Sequence, residues 1–330
     1  LLRRAARIRR VAAPEFADNF GMTTSHPTPA LNPSPFEILD PRFEDCVRSS
    51  AQIEQLYSGC RWAEGPAYFP ALRSLVWSDI PNERMLRFDE CTGQVGVFRQ
   101  PSGYSNGNTV DREGRLISCE HGGRRVVRTE HDGSITVLAD RYQGWRLNSP
   151  NDVVVKSDGT IWFTDPNYGI TSNYEGVKAA QEQPGCFVYR FDPLTGDLRV
   201  VVDDFKGPNG LAFSPDERTL YIDDTEQDCG TMRRFAVGDD GVSLSGGEIF
   251  ITCETGFYDG FRCDDEGRIW TSAGRAIHCH LPDGTLIGRI KMPERVSNLV
   301  FGGPKRNRLF ICATTSLYAV LLAVDGAKTF

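Results

Sequence analysis

The chain has no surplus of positive charge, no long apolar run, no paired cysteine motif and almost no helical periodicity. Each absence removes a class of protein. Its 37 Lys and Arg are outnumbered by 44 Asp and Glu, for a formal net charge of -7, whereas a nucleic-acid footprint is basic. No stretch reaches the ~18 apolar residues that a membrane helix needs. Neither nucleic acid nor a membrane is therefore expected as a partner, and an acidic chain suits a cation better. The ten cysteines stand singly, without the spacing of a zinc finger or a redox pair. They read first as buried, reduced thiols of a cytoplasmic protein, and second as paired bridges of a secreted one. There is no Gly-x-Ser-x-Gly elbow and no Ser, His and acid spacing of a triad, so a serine nucleophile is not indicated.

What the chain does have is punctuation. From Phe43 onward, apolar strand-like runs recur every 8 to 14 residues, split by turns such as His131-Asp132-Gly133 and Pro282-Asp283-Gly284. Residues 1 to 40 differ, with Pro14, Pro27, Pro29, Pro33 and Pro35 set among Ser, Thr and Asn. That composition cannot pack a core, so residues 1 to 40 are expected to be a flexible tail and residues 41 to 330 one domain. Arg3, Arg4, Arg7, Arg9 and Arg10 have no apolar core of signal-peptide length behind them. With Met22 available as a later start, they read as an upstream extension.

Six times a polar-led phrase precedes an apolar strand, a turn and a second apolar strand. The lead residues are Glu64, Asn108, Asn151, Asn209, Asp259 and Asn298, spaced by 44, 43, 58, 50 and 39 residues. This is the period of a propeller blade with variable loops. The expectation is an all-β, six-bladed β-propeller with four antiparallel strands per blade and a central metal site. A strand near residues 53 to 57 would close the ring on residues 317 to 324. Because strand direction alternates, Asp79, Glu120, His121, Asp165, Asp223, Asp224 and Ser272 should share the face of the lead residues. So should the long insertion from Pro166 to Gly185, which carries Tyr168 and Tyr174.

A ring of Glu, Asp and Asn offers oxygen ligands only, which is the set that Ca²⁺ takes. Calcium is the first choice, with Mg²⁺, Mn²⁺ and then Zn²⁺ as substitutes. Against this stands the fact that Asn-Gly and Asp-Gly also form ordinary turns. Six in one phase, two of them anionic, argue for a site.

The phrases Glu64-Gly65-Pro66, Ser149-Pro150-Asn151-Asp152, Pro208-Asn209-Gly210-Leu211 and Tyr258-Asp259-Gly260 together resemble the SMP-30/gluconolactonase/LRE-like family of six-bladed propellers, over about residues 60 to 315. Residues Cys119 to Arg125 and Thr164 to Gly169 look like its bacterial gluconolactonase branch. The resemblance implies a divalent cation, usually calcium, held by Glu64, Asn151, Asn209 and Asp259. It also implies hydrolysis of a sugar lactone, gluconolactone first, with Asp259 as general base. One departure is Ser149, where some relatives place an arginine that grips the sugar.

Asn108, Glu120, His121 and Tyr168 are expected to contact substrate. His121 could equally be a packed histidine or a base, and Asn298 reads as a structural echo. His278 and His280 alternate along one strand and should face the same side as structural residues. Among the tryptophans, Trp145 is the one expected near substrate, and Arg124-Arg125 reads as a solvated strand start. Two other functions stay open: a hydrolase of other lactones, esters or phosphotriesters, and a non-catalytic calcium-binding interaction module. The oligomeric state is left open.

Overall fold

Short apolar runs separated by Gly- and Asp-rich turns favour antiparallel hairpins over helices. In a computed structural model, which describes residues 34–226, 230–254 and 256–328, these hairpins build five four-stranded antiparallel sheets and one of five strands, beside a separate two-stranded hairpin. Their innermost strands are Ala63–Phe69, Ser105–Val110, Val153–Val155, Pro208–Phe213, Phe261–Cys263 and Val296–Gly302. Each innermost strand touches the next around the ring, and the last touches the first. The molecule is a six-bladed β-propeller.

The ring closes as expected. Glu54–Ser58 pairs antiparallel with Ser316–Leu321, so the last sheet takes its outer strand from the beginning of the domain. One boundary differs from expectation. Of the proposed tail, residues 1–33 lie outside the described residues, but Phe36–Ile38 adds a fifth strand beside Leu286–Lys291. The following turn of 3-10 helix, Pro41–Cys46, buries Phe43 against Trp270, with ring centroids 5.9 Å apart. A glycine makes this approach feasible, since a Cβ at Gly288 would come within 2.1 Å of the Phe43 ring. The proline-rich composition concealed a short anchoring segment.

Apolar residues pack between blades. Trp162, Val188 and Phe205 of the third blade meet Leu211, Leu220 and Phe235 of the fourth. Trp77, Trp162 and Trp270 are fully buried in such seams, and each large side chain so buried contributes a few kcal/mol, at about 25 cal/mol per Å² of apolar surface. Seven of the cysteines, including Cys119, Cys263 and Cys312, are buried free thiols, whereas Cys91 is exposed; Cys229 lies outside the described residues. No helix among the described residues is long and apolar enough to cross a membrane.

Candidate functional site

Strand pairing decides which residues are equivalent around the axis. Ala63 pairs with Asp79, Ser105 with Glu120, Pro208 with Asp224 and Val296 with Ala313, in each case the first residue of an innermost strand with the last of its neighbour. The next residue in each strand is therefore Glu64, Asn106, Asn209 and Ser297. Asn151 and Asp259 join this set through their carbonyls. The amide of Gly107 donates to Asn151 O (2.7 Å), that of Gly210 to Asp259 O (3.0 Å) and that of Gly260 to Ser297 O (2.8 Å). Ser78 Oγ donates to Asn106 O and Thr164 Oγ1 to Asn209 O, both at 2.7 Å.

Two of the six lead residues are thus out of phase. Asn108 lies two residues beyond Asn106, past a register shift between Ser105 and Asn108. Its Nδ2 donates to Gly65 O, Ser78 Oγ and Asn106 O, and it lines a cavity with Val110, Val155 and Phe213 toward the far ends of the inner strands. This is not the place of a substrate contact at the lead-residue mouth. Asn298 lies one residue beyond Ser297 and donates through Nδ2 to Glu64 Oε2 (3.2 Å), so it orients that carboxylate.

Glu64, Asn151 and Asn209 are buried, and Asp259, at the same ring position, is half-buried. Burial, and then the charge of Asp259, hold the Glu64 carboxyl well above the usual range. Burial, and then the charge of Glu175, push Asp259 up to about 7, with Arg295 opposing. Asp223, raised by burial and by Asp259, keeps Oδ2 without a hydrogen-bond partner among the described residues. Like charges crowded in a low-dielectric channel raise one another's pKa, and a cation between them relieves the repulsion.

Among the described residues, no three His, Cys, Asp or Glu side chains stand close enough to hold a metal by themselves. The axial set instead joins two carboxylates, Glu64 and Asp259, to the carboxamides of Asn151 and Asn209. Such an all-oxygen donor set fits a hard divalent cation. Asn209 Nδ2 donates to Thr225 Oγ1 at 3.0 Å, which leaves its oxygen as the free end.

Other expected site residues have different duties. Glu120 lies between two guanidinium groups, 3.0 Å from Arg99 and 2.7 Å from Arg125, so its carboxylate is committed to the protein rather than to a substrate. Tyr168 begins the short helix Tyr168–Thr171 in the insertion and donates to Gly207 O at 3.0 Å. Its phenol is raised by burial, and the nearby charges of Glu226, Asp259 and Asp223 add to this, which places it beside the axial acids. His121 is fully buried, with Nε2 3.2 Å from Asn106 Nδ2 and Nδ1 2.9 Å from Glu175 O. Burial lowers its pKa to about 4, so the ring is neutral near pH 7.

Ser149 is buried, donates to Pro166 O (2.7 Å) and accepts from Gly169 N (3.0 Å), fastening the start of the insertion. Arg124 is not solvated. It is buried, donating to Leu147 O at 2.7 Å and pairing with Glu182 at 3.1 Å. Trp145 is 59% exposed, on a hairpin fastened to the insertion through Gln183. Asp79, Asp165 and Asp224 accept the amides of Arg61, Asn148 and Lys206, respectively, and so tie incoming loops to their blades. Sequence reasoning missed Asn106, whose only signal was its own Asn-Gly pair at Asn106-Gly107.

The fold and its axis define the class of protein: a six-bladed propeller with buried acids and carboxamides around one mouth. Residues 62–315 match the SMP-30/Gluconolactonase/LRE-like region model, and the chain belongs to that family. It is 30% identical over 311 residues to a gluconolactonase of Zymomonas mobilis, covering 87% of this chain and 86% of the relative. A pentonolactonase of Haloferax volcanii is 30% identical over 266 residues, covering 77% and 82% respectively. A solved gluconolactonase structure from Xanthomonas campestris superposes with a TM-score of 0.83 at 39% identity, covering 88% of this chain and 95% of that one.

Proposed function

We propose that this protein is a lactonase that opens sugar lactones, gluconolactone first, at the axial site, with Asp259 as general base and a divalent cation, calcium before the others, held by Glu64, Asn151, Asn209 and Asp259. The observation that carries the reading is the phase of these four residues: they occupy one equivalent ring position, and both acids are raised by burial and charge. When bound, the cation supplies positive charge that offsets the two carboxylates and favours the anionic character of the reacting carbonyl.

The remaining work falls to the side chains. Asp259 takes the proton of the attacking water, for which its partly open position and its proximity to the axis suit it. Glu64, oriented by Asn298, supplies the second negative charge of the cage. The insertion, through Tyr168 and the segment around Glu175, covers the mouth and limits water. The product is an open-chain hydroxy acid. Its carboxylate is expelled toward solvent, since the channel is already acidic.

Hydrolysis rates over a panel of gluconolactone, pentonolactones, homoserine lactones and a phosphotriester, with and without chelator, test the reading. Turnover of sugar lactones that disappears on chelation and returns with Ca²⁺ is expected. A panel in which no lactone is hydrolysed would overturn it.

A further inference from the structure

We propose that the end of the channel opposite the lead residues is a second binding site, for a small organic carboxylate with a compact apolar body, held by Arg262 and Arg306. The lead residues stand near the starts of the six inner strands. A cavity of about 140 Å³ lies between the far halves of the same strands, walled by Val155, Phe213 and Phe301 among others. A void of roughly 150 Å³ with apolar walls holds a benzene-sized ring. The exposed Lys328 lies at its edge, so the cavity opens to solvent away from the lead residues. None of Glu64, Asn151, Asn209 and Asp259 lines it, which separates it from the proposed lactonase centre.

Charge sets the sign of the ligand. The chain as a whole carries a net charge of -7, yet of the described residues around this cavity Arg262, Arg306 and Lys328 are cationic and Glu217 alone is acidic. Glu217 is already committed, accepting from the amide of Ser157 at 2.7 Å and lying 3.4 Å from Lys156 Nζ. An anion therefore meets cations that the protein leaves unneutralised.

Both guanidinium groups have donors left over. The Arg262 side chain is 10% exposed, and a guanidinium donates from all of its nitrogens. Nη1 donates to Phe261 O at 2.6 Å and lies 3.5 Å from Asp152 Oδ2, a long contact, while Nε and Nη2 make no hydrogen bond among the described residues. Arg306 has no ion pair among the described residues, and its Nη1 is buried without a hydrogen-bond partner among them. Donors left dry and unpaired are costly, and the planar fork of a guanidinium matches a carboxylate. Apolar walls select against a strongly hydrated anion, which leaves a carboxylate on a ring or short alkyl body.

Isothermal titration calorimetry on wild type, Arg262→Gln and Arg306→Gln tests the site, with benzoate, its neutral isostere benzamide, and acetate as probes. Chelator is present throughout, so that no carboxylate binds through a cation at the axial ring, and thermal unfolding checks that each variant folds. Benzoate should bind the wild type at one site per chain. Benzamide, which lacks the charge, and acetate, which lacks the ring, should each bind about tenfold more weakly or worse. Each arginine variant should lose about tenfold in benzoate affinity. If Arg262→Gln does not fold, Arg306→Gln and the benzamide comparison decide without it. The inference is overturned if benzoate does not bind, if benzamide binds as tightly, or if either folded arginine variant binds benzoate as the wild type does. None of these readouts needs turnover, so the outcome does not depend on whether the protein opens lactones.

Discussion

The amide of Gly210 donates to the carbonyl oxygen of Asp259 at 3.0 Å, fastening one blade's inner strand to the next at the proposed base. Only a residue without a side chain fits there, because a Cβ on Gly210 would lie 2.2 Å from that oxygen. Gly210→Ala should therefore lower the unfolding free energy by about 2 kcal/mol, the usual scale of overpacking, and displace Asp259 enough to reduce kcat/KM. Gly96→Ala, where a Cβ meets nothing within 4 Å, is the control and should be near neutral. Urea denaturation of both variants reads the difference.

The buried acids should cost stability in the absence of a cation. Glu64→Gln and Asp259→Asn are each expected to raise the melting temperature of chelated protein, because each removes a charge that burial and its neighbours disfavour. Asp259→Asn should also lower kcat/KM by about 10² to 10⁴, the usual range for a general base. Calcium at 100 times its Kd should stabilise the wild type by about 2.7 kcal/mol and both variants far less. Differential scanning calorimetry with and without chelator measures this. Equal calcium shifts in all three proteins would remove the cation from these residues.

Glu120 gives a prediction of the opposite kind. Its two partners are Arg99 and Arg125, with the Arg99 side chain 16% and the Arg125 side chain 36% exposed. Glu120→Gln should cost about 2 kcal/mol by leaving Arg99 largely buried without its counter-charge, a figure below the fully buried range because Arg125 is well solvated. KM for the lactone should not move. A change in KM without a loss of stability would instead put Glu120 on the substrate.

Among the described residues His278 has no hydrogen-bond partner on either ring nitrogen, and it is held down to about 3 by burial, by His280 and by Arg289. Its folded pKa lies below the unfolded value near 6.5, so the unfolded chain binds the extra proton between those limits. Stability is therefore full above pH 6.5 and declines as pH falls toward 3. His278→Leu removes that slope at no cost in hydrogen bonds, and at pH 5 it should gain on the order of 2 kcal/mol relative to its own effect at pH 7.5. Parallel denaturation curves at the two pH values test it.

The six-fold period, the four-strand blade and the closing strand were legible because turn residues and apolar alternation are local properties. So was the shared ring position of Glu64, Asn151, Asn209 and Asp259, three of them followed by a glycine, Gly65, Gly210 or Gly260, against which the next blade packs too closely for a Cβ. Asn108 was misplaced for an equally physical reason. The one-residue register shift between Ser105 and Asn108 also lies near the start of the inner strand in other blades, so it does not separate Asn106 from Asn108 two residues on, and either asparagine fits the blade spacing. Arg124 read as solvated because nothing local announces that Leu147 O and Glu182 will come to meet it.

By itself, then, the sequence determined the architecture and the oxygen-rich chemistry of the axis, since strand periodicity and side-chain type depend on neighbours a few residues away. The tertiary structure alone decided that Asn106 rather than Asn108 shares the ring position of Glu64, that Glu120 lies between two arginines, and that His121 is buried with a partner at each ring nitrogen. Those outcomes depend on partners tens to hundreds of residues distant, brought together only when the ring closes.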